Sequence, residues 1–146
     1  MELMRKIHKI MKVTITNHLI RKENLNHHDT LYAGRGAEWL IETAYMSAVD
    51  ILQTNSIVAV KIGEISCFAP VHAGEVLRME GKVVYAGKTS LIAYVGAHVG
   101  DQKTHEGFVT FVRIGENGRP QPHGITIEPE SDEEKALQER AKKLLC

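Results

Sequence analysis

Residues 33–52 constrain this chain more than any other stretch: Ala37, Leu40, Ile41, Ala44, Met46, Ala48, Val49, Ile51 and Leu52 recur there at helical spacing. They cover more than one stripe, so the pattern predicts a long helix buried on most of its sides. A polar turn, Asn26-His27-His28-Asp29-Thr30-Leu31-Tyr32, feeds the start, and Gln53-Thr54-Asn55-Ser56 ends it. Two carboxylates, Glu38 and Glu42, stand one turn apart inside the pattern. A helix start offers unpaired N–H donors and the positive end of the dipole, so this junction is a candidate chemical site.

The other segments must cover that helix. Residues 12–20 alternate, with Val13, Ile15 and Leu19 on one side. Residues 57–68 are rich in Ile and Val, and 75–85 set Leu77, Met79, Val83 and Tyr85 against Arg78, Glu80 and Lys82. Residues 89–99 carry Leu91, Ala93, Val95, Ala97 and Val99 on one face, and 106–114 form a further strand. The turns between the later strands are short, which implies antiparallel neighbours. Ser131-Asp132-Glu133-Glu134 reads as a capping box opening a charged helix over 131–145. The expectation is an α+β fold: an antiparallel sheet of about five strands around one long central helix. The body would occupy residues 1–126 and a helical tail 127–146. One sheet covers one side of such a helix, which predicts a second copy of the chain on the other.

Charged residues balance at 18 against 18, so bulk charge points to no nucleic-acid partner. Cys67 and Cys146 make no disulfide framework and read as free thiols in a reducing compartment. The chain has no run of about 18 apolar residues and no secretory signal, so a cytoplasmic protein with no membrane partner is expected. His27, His28 and Asp29 lack metal-ligand spacing, and no metal is expected.

Three stretches then carry a family resemblance. Asn26-His27-His28-Asp29-Thr30-Leu31-Tyr32-Ala33-Gly34 is similar to an Asn-x-x-Gly-x-x-Phe-Gly-Gly approach to a helix. Phe68-Ala69-Pro70-Val71-His72-Ala73-Gly74-Glu75, with Gly87-Lys88-Thr89-Ser90, is similar to Pro-Val-x-x-Gly-Asp/Glu and Gly-x-Thr-Ser strands. Gly107-Phe108-Val109-Thr110-Phe111-Val112, followed by Gly118-Arg119-Pro120-Gln121-Pro122, is similar to a last strand and its Gly-x-Pro-x-Pro exit. In this order, over about residues 12–126, they resemble the hotdog-fold acyl-CoA thioesterases, or acyl-CoA hydrolases.

The resemblance implies a curved sheet wrapping a central helix and hydrolysis of acyl-CoA to free acid and CoA. The thioester carbonyl would sit on backbone N–H groups of Ala33, Gly34 and Arg35, with Asn26 orienting water or substrate. His28 and Thr30 would line the substrate site, and Gly87, Thr89 and Ser90 the CoA. A helix carboxylate would activate water or attack the carbonyl. In most relatives that acid stands seven residues after the second Gly, a position that is Ile41 here; Glu42 is one place further on, and Glu38 competes with it. The resemblance implies no cofactor beyond the CoA of the substrate, a homodimer whose sites combine two subunits, and hexamers of three dimers. The displaced acid leaves a rival, a non-catalytic acyl-CoA-binding or sensing protein of the same fold. A dehydratase of this fold would need a catalytic His motif that the chain does not show.

Overall fold

The computed structural model describes residues 6–145. Its elements are β1 (Ile7–Ile10), β2 (Thr14–Leu19), a 3-10 turn (Lys22–Asn24), α1 (Ala33–Leu52), β3 (Ile57–Cys67), β4 (Val76–Ala86), β5 (Ser90–Val99), β6 (Gln102–Arg113), β7 (Ile125–Glu128) and α2 (Asp132–Lys143). Five strands form one sheet in the order β2-β4-β5-β6-β3, antiparallel throughout. This sheet wraps α1, the α+β arrangement expected from the sequence pattern and the hotdog form that the resemblance implied.

The helix keeps its expected bounds. Gln53 ends it in a left-handed conformation (φ 56°), with its N–H bonded to the carbonyl of Val49. Leu40, Ala44, Ala48 and Ile51 face the sheet and join a core with Leu77, Met79 and Val83 of β4, Leu91, Ala93 and Val95 of β5, and Val109 and Phe111 of β6. The helix crosses close over Gly81, where a Cβ would lie 3.0 Å from Thr43 Cγ2 and 3.1 Å from its carbonyl oxygen. Any larger residue there would push α1 off β4.

Strand alternation divides the sheet into two faces. Gly107 turns toward Leu40 of α1, while Glu106 turns the other way and meets Arg140 of α2. The tail helix thus lies on the outer face, with Leu137 and Ala141 buried. Only half of its capping box forms: Ser131 Oγ accepts from Glu134 N, but the Glu134 carboxylate accepts from Glu130 N instead.

Three expectations need correction. Burial of α1 on most sides does not hold within one chain, where Tyr45 and Met46 are 37% and 44% exposed and Glu38 and Glu42 also face out. The period shows that apolar residues are spread around the helix, but a single sheet reaches one face. Second, β6 starts at Gln102, because Gly100 (φ 58°) turns the chain tightly enough for Gln102 to pair with Val99. Third, β1 and β7, which pair in parallel from Ile7 with Ile125 to Ile10 with Glu128, escape notice because four-residue strands carry almost no periodicity.

Candidate active site

The polar turn before α1 is held by one side chain. Asn26 Oδ1 accepts from the N–H groups of His28 (2.8 Å) and Thr30 (3.3 Å), and Asn26 Nδ2 donates to Thr30 Oγ1 (3.1 Å). Asp29 takes a left-handed conformation (φ 60°) where the related motif has glycine. Asp tolerates that conformation better than most residues. The N–H of Leu31 bonds the carbonyl of Val71 and that of Tyr32 the carbonyl of Asn24, which fixes where the helix begins.

Tyr32 caps α1 without a side-chain bond. Its carbonyl accepts from Arg35 N (3.0 Å) and Gly36 N (3.2 Å). Among the described residues, no acceptor meets the N–H groups of Ala33 and Gly34. The Arg35 amide is thus already used, and two of the three expected donors remain. At Gly34 a Cβ would collide with the Tyr32 ring. The glycine makes room for that ring.

A cavity of about 270 Å³ opens at the helix start, lined by Asn26, Thr30, Leu31, Ala33, Cys67, Phe68, Val71 and His105. Three expected residues, Asn26, Thr30 and Ala33, therefore meet in one place. His28 does not line it; its exposed ring lies tilted at 42° against that of His27, with centroids 4.0 Å apart. Arg35 is exposed and pairs with Glu38 at 3.5 Å.

Glu42 lies elsewhere on the same helix. Nine residues beyond Ala33, it is about 13 Å further along the axis and half a turn around. It is exposed, near His18, which stacks on Trp39 with centroids 4.4 Å apart. Thr43 Oγ1 donates to the Trp39 carbonyl (2.8 Å), so it accepts from Thr16 Oγ1 (2.8 Å), which in turn accepts from His18 Nε2 (3.0 Å). Burial lowers the pKa of His18, and the Glu42 charge opposes that.

Gly87, Thr89 and Ser90 sit at the far end of the sheet. Ser90 is opposite Val112 of β6, whereas His105 is seven residues back on the same strand. That separation is about 23 Å at strand rise. A groove of about 520 Å³ lies there beside Lys6, Tyr85, Gly87, Lys88 and Pro122. The Gly87 N–H and the Thr89 carbonyl are taken up by bonds to the Ser90 carbonyl and the Arg113 N–H. Within one chain, the cavity at α1, Glu42 and the 87–90 turn are three separate places.

Sequence reasoning missed Cys67 and His105, which face each other across β3 and β6 and share the cavity. The signal was a histidine next to a strand just beyond an assigned turn. Among the described residues, no group of three His, Cys, Asp or Glu side chains could hold a metal.

A family model described as the thioesterase superfamily matches residues 28–105. No curated protein matches the sequence. A hexameric acyl-CoA thioesterase is similar at 30% identity and a TM-score of 0.81, over 90% of this chain and 86% of that one. An acyl-CoA hydrolase from Staphylococcus aureus, solved with butyryl coenzyme A and coenzyme A, is similar at 23% identity and 0.86, over 94% and 87%. An acyl-CoA hydrolase from Bacillus cereus is similar at 22% identity and 0.84, over 91% and 84%.

Proposed function

The chain belongs to the thioesterase superfamily and is an enzyme of that class; on that premise we propose that it hydrolyses acyl-CoA thioesters to a carboxylic acid and CoA. One observation carries this reading: the N–H groups of Ala33 and Gly34 stand unpaired at the positive end of a 20-residue helix whose first residue, Ala33, lines a largely apolar cavity. Donors fixed there before reaction stabilise the oxyanion of a tetrahedral intermediate without reorganising. Asn26 shapes the rim, and Thr30 offers a hydroxyl. Water adds to the carbonyl carbon, the C–S bond breaks, and CoA leaves as the thiolate.

Glu42 supports this reading from a second copy. It cannot reach the cavity of its own chain, but it lies on the α1 face that the sheet leaves bare, beside Tyr45 and Met46. The β3 edge is bare too, with Val58, Val60 and Ile62 at 42%, 57% and 50% exposure. Such a surface calls for a partner. We propose a homodimer that brings Glu42 of one copy to the helix start of the other, with the 87–90 turn of a neighbouring copy meeting the CoA. A hexamer of three dimers, in the cytoplasm, completes the proposal.

The test is release of free thiol from a panel of acyl-CoAs by wild type, Asn26→Ala, Glu42→Gln and Glu38→Gln. Turnover is expected for wild type, a loss of about 10²-fold or more for Glu42→Gln, and near-wild-type rates for Glu38→Gln. No turnover at any chain length would sink the enzyme reading; full activity of Glu42→Gln would remove Glu42. The rival, an acyl-CoA sensor, is favoured by the exposure of Glu42 and by Ile41 at the family's acid position. It predicts calorimetric binding of acyl-CoA with no thiol release.

A further inference from the structure

His105 is 5% exposed, and its ring lies against the first turn of α1. A Cβ on Gly36 would be 3.4 Å from His105 Nε2, so the glycine allows the ring to approach the helix start this closely. The same ring lines the cavity that Ala33, the first residue of α1, also lines. Its tautomer follows from its neighbour. Thr104 Oγ1 donates to the carbonyl of Ala97 (3.3 Å) and therefore accepts from His105 Nδ1 (2.9 Å). Nδ1 carries the proton, and Nε2 keeps a lone pair with no acceptor or donor role elsewhere among the described residues. This is the arrangement of a base held in position by a hydroxyl behind it.

We propose that His105 is a catalytic base of the thioesterase reaction: its Nε2 takes a proton from the water that attacks the carbonyl held at the helix start. The inference rests on the thioesterase reading above. As the water oxygen bonds to the carbonyl carbon, its proton passes to Nε2. As the intermediate collapses and the C–S bond breaks, the imidazolium returns the proton to the departing CoA thiolate, and the ring is neutral again. Burial lowers the pKa of His105, which keeps the base form populated near neutral pH. From the surrounding elements the ring meets Gly36 and Leu31, Ala97 of β5 and Cys67 of β3; among the described residues Cys67 is the only other titratable side chain lining the cavity. His105 acts from within its own chain, whereas Glu42 must come from another, so the two are separable.

The experiment is acyl-CoA hydrolysis across pH by wild type, His105→Gln, His105→Ala and Thr104→Val, with thermal melting of each. His105→Gln is expected to lose about 10²-fold or more in kcat with little change in KM. The acid limb of the wild-type kcat/KM profile, centred below pH 6.5, should vanish with it. His105→Ala leaves a hole beside the substrate, and added imidazole should restore activity several-fold, which no purely structural role allows. Thr104→Val frees the tautomer and should lower kcat less. Wild-type kcat in His105→Gln, or an unchanged acid limb, overturns the assignment, as does failure of imidazole to rescue a folded His105→Ala. If wild type releases no thiol at all, the thioesterase reading and this one fall together. If wild type turns over and His105→Gln matches it, this one alone falls.

Discussion

Glu106 keeps a charge between the sheet and α2 while only 8% exposed. Burial works against its ionisation, but hydrogen bonds from Arg140 (2.8 Å), Lys103 (2.6 Å) and Tyr94 (2.9 Å) outweigh it and hold the carboxyl at about 2. A carboxylate with a depressed folded pKa stabilises the protein above its unfolded value, near 4.5, and that stabilisation is lost as pH falls toward 2. Glu106→Gln should therefore cost about 1–2 kcal/mol in urea unfolding at pH 7, because Arg140 and Lys103 lose their carboxylate but are 41% and 40% exposed and stay partly solvated. The gap to wild type should close as pH drops through that window; an equal gap at pH 7 and pH 2.5 refutes the account. At this scale the sequence was partly legible. Asn26, Thr30 and Ala33 lie together because a turn-and-helix motif keeps them within eight residues. His105 was hidden because what brings it to them is the pairing of β6 with β3, a contact with no local signal.

Elements followed from the sequence in proportion to their length and period. β4 alternates from Val76 to Val83, β5 is a ten-residue, largely apolar strand buried on both faces from Leu91 to Ala97, and α1 ends at a left-handed Gln53, so their bounds came within a residue or two. β1 and β7 are short and meet each other from the two ends of the chain. The tail helix was legible from its cap, but its docking site was not. Leu137 is 9% exposed, and Gln138 Nε2 donates to the carbonyls of Val84 and Ile127, both at 3.0 Å, so one side chain ties α2 to β4 and β7. Leu137→Ala should cost about 2–3 kcal/mol, and Gln138→Leu about 1–3 kcal/mol by leaving both carbonyls unpaired under the helix. Urea unfolding measures both. Wild-type stability in Gln138→Leu would mean that these bonds contribute nothing.

At the scale of the whole molecule, the arrangement of parts argues for a site shared between copies. The helix-start amides, Glu42 and the 87–90 turn are set on three parts of one fold, and no side-chain rotation spans about 13 or 23 Å. If Glu42 of one chain serves the helix start of another, two dead variants can repair each other. Gly34→Val sets a branched side chain at the helix-start amides, where the exposed Tyr32 ring must swing aside for it, while Glu42→Gln removes the carboxylate. Each alone should be nearly inactive. Co-expressed in equal amounts, half of the dimers are mixed, and each mixed dimer holds one site built from two intact contributions. About a quarter of wild-type activity should return, as two-fold symmetry dictates. A site built within one chain gives every mixture at least one fault per site and no recovery. Val60→Lys supplies the complementary measurement: a charge on the bare β3 edge should shift the protein to monomer in sedimentation and abolish turnover with it. An active monomer would show that one chain completes the site by itself.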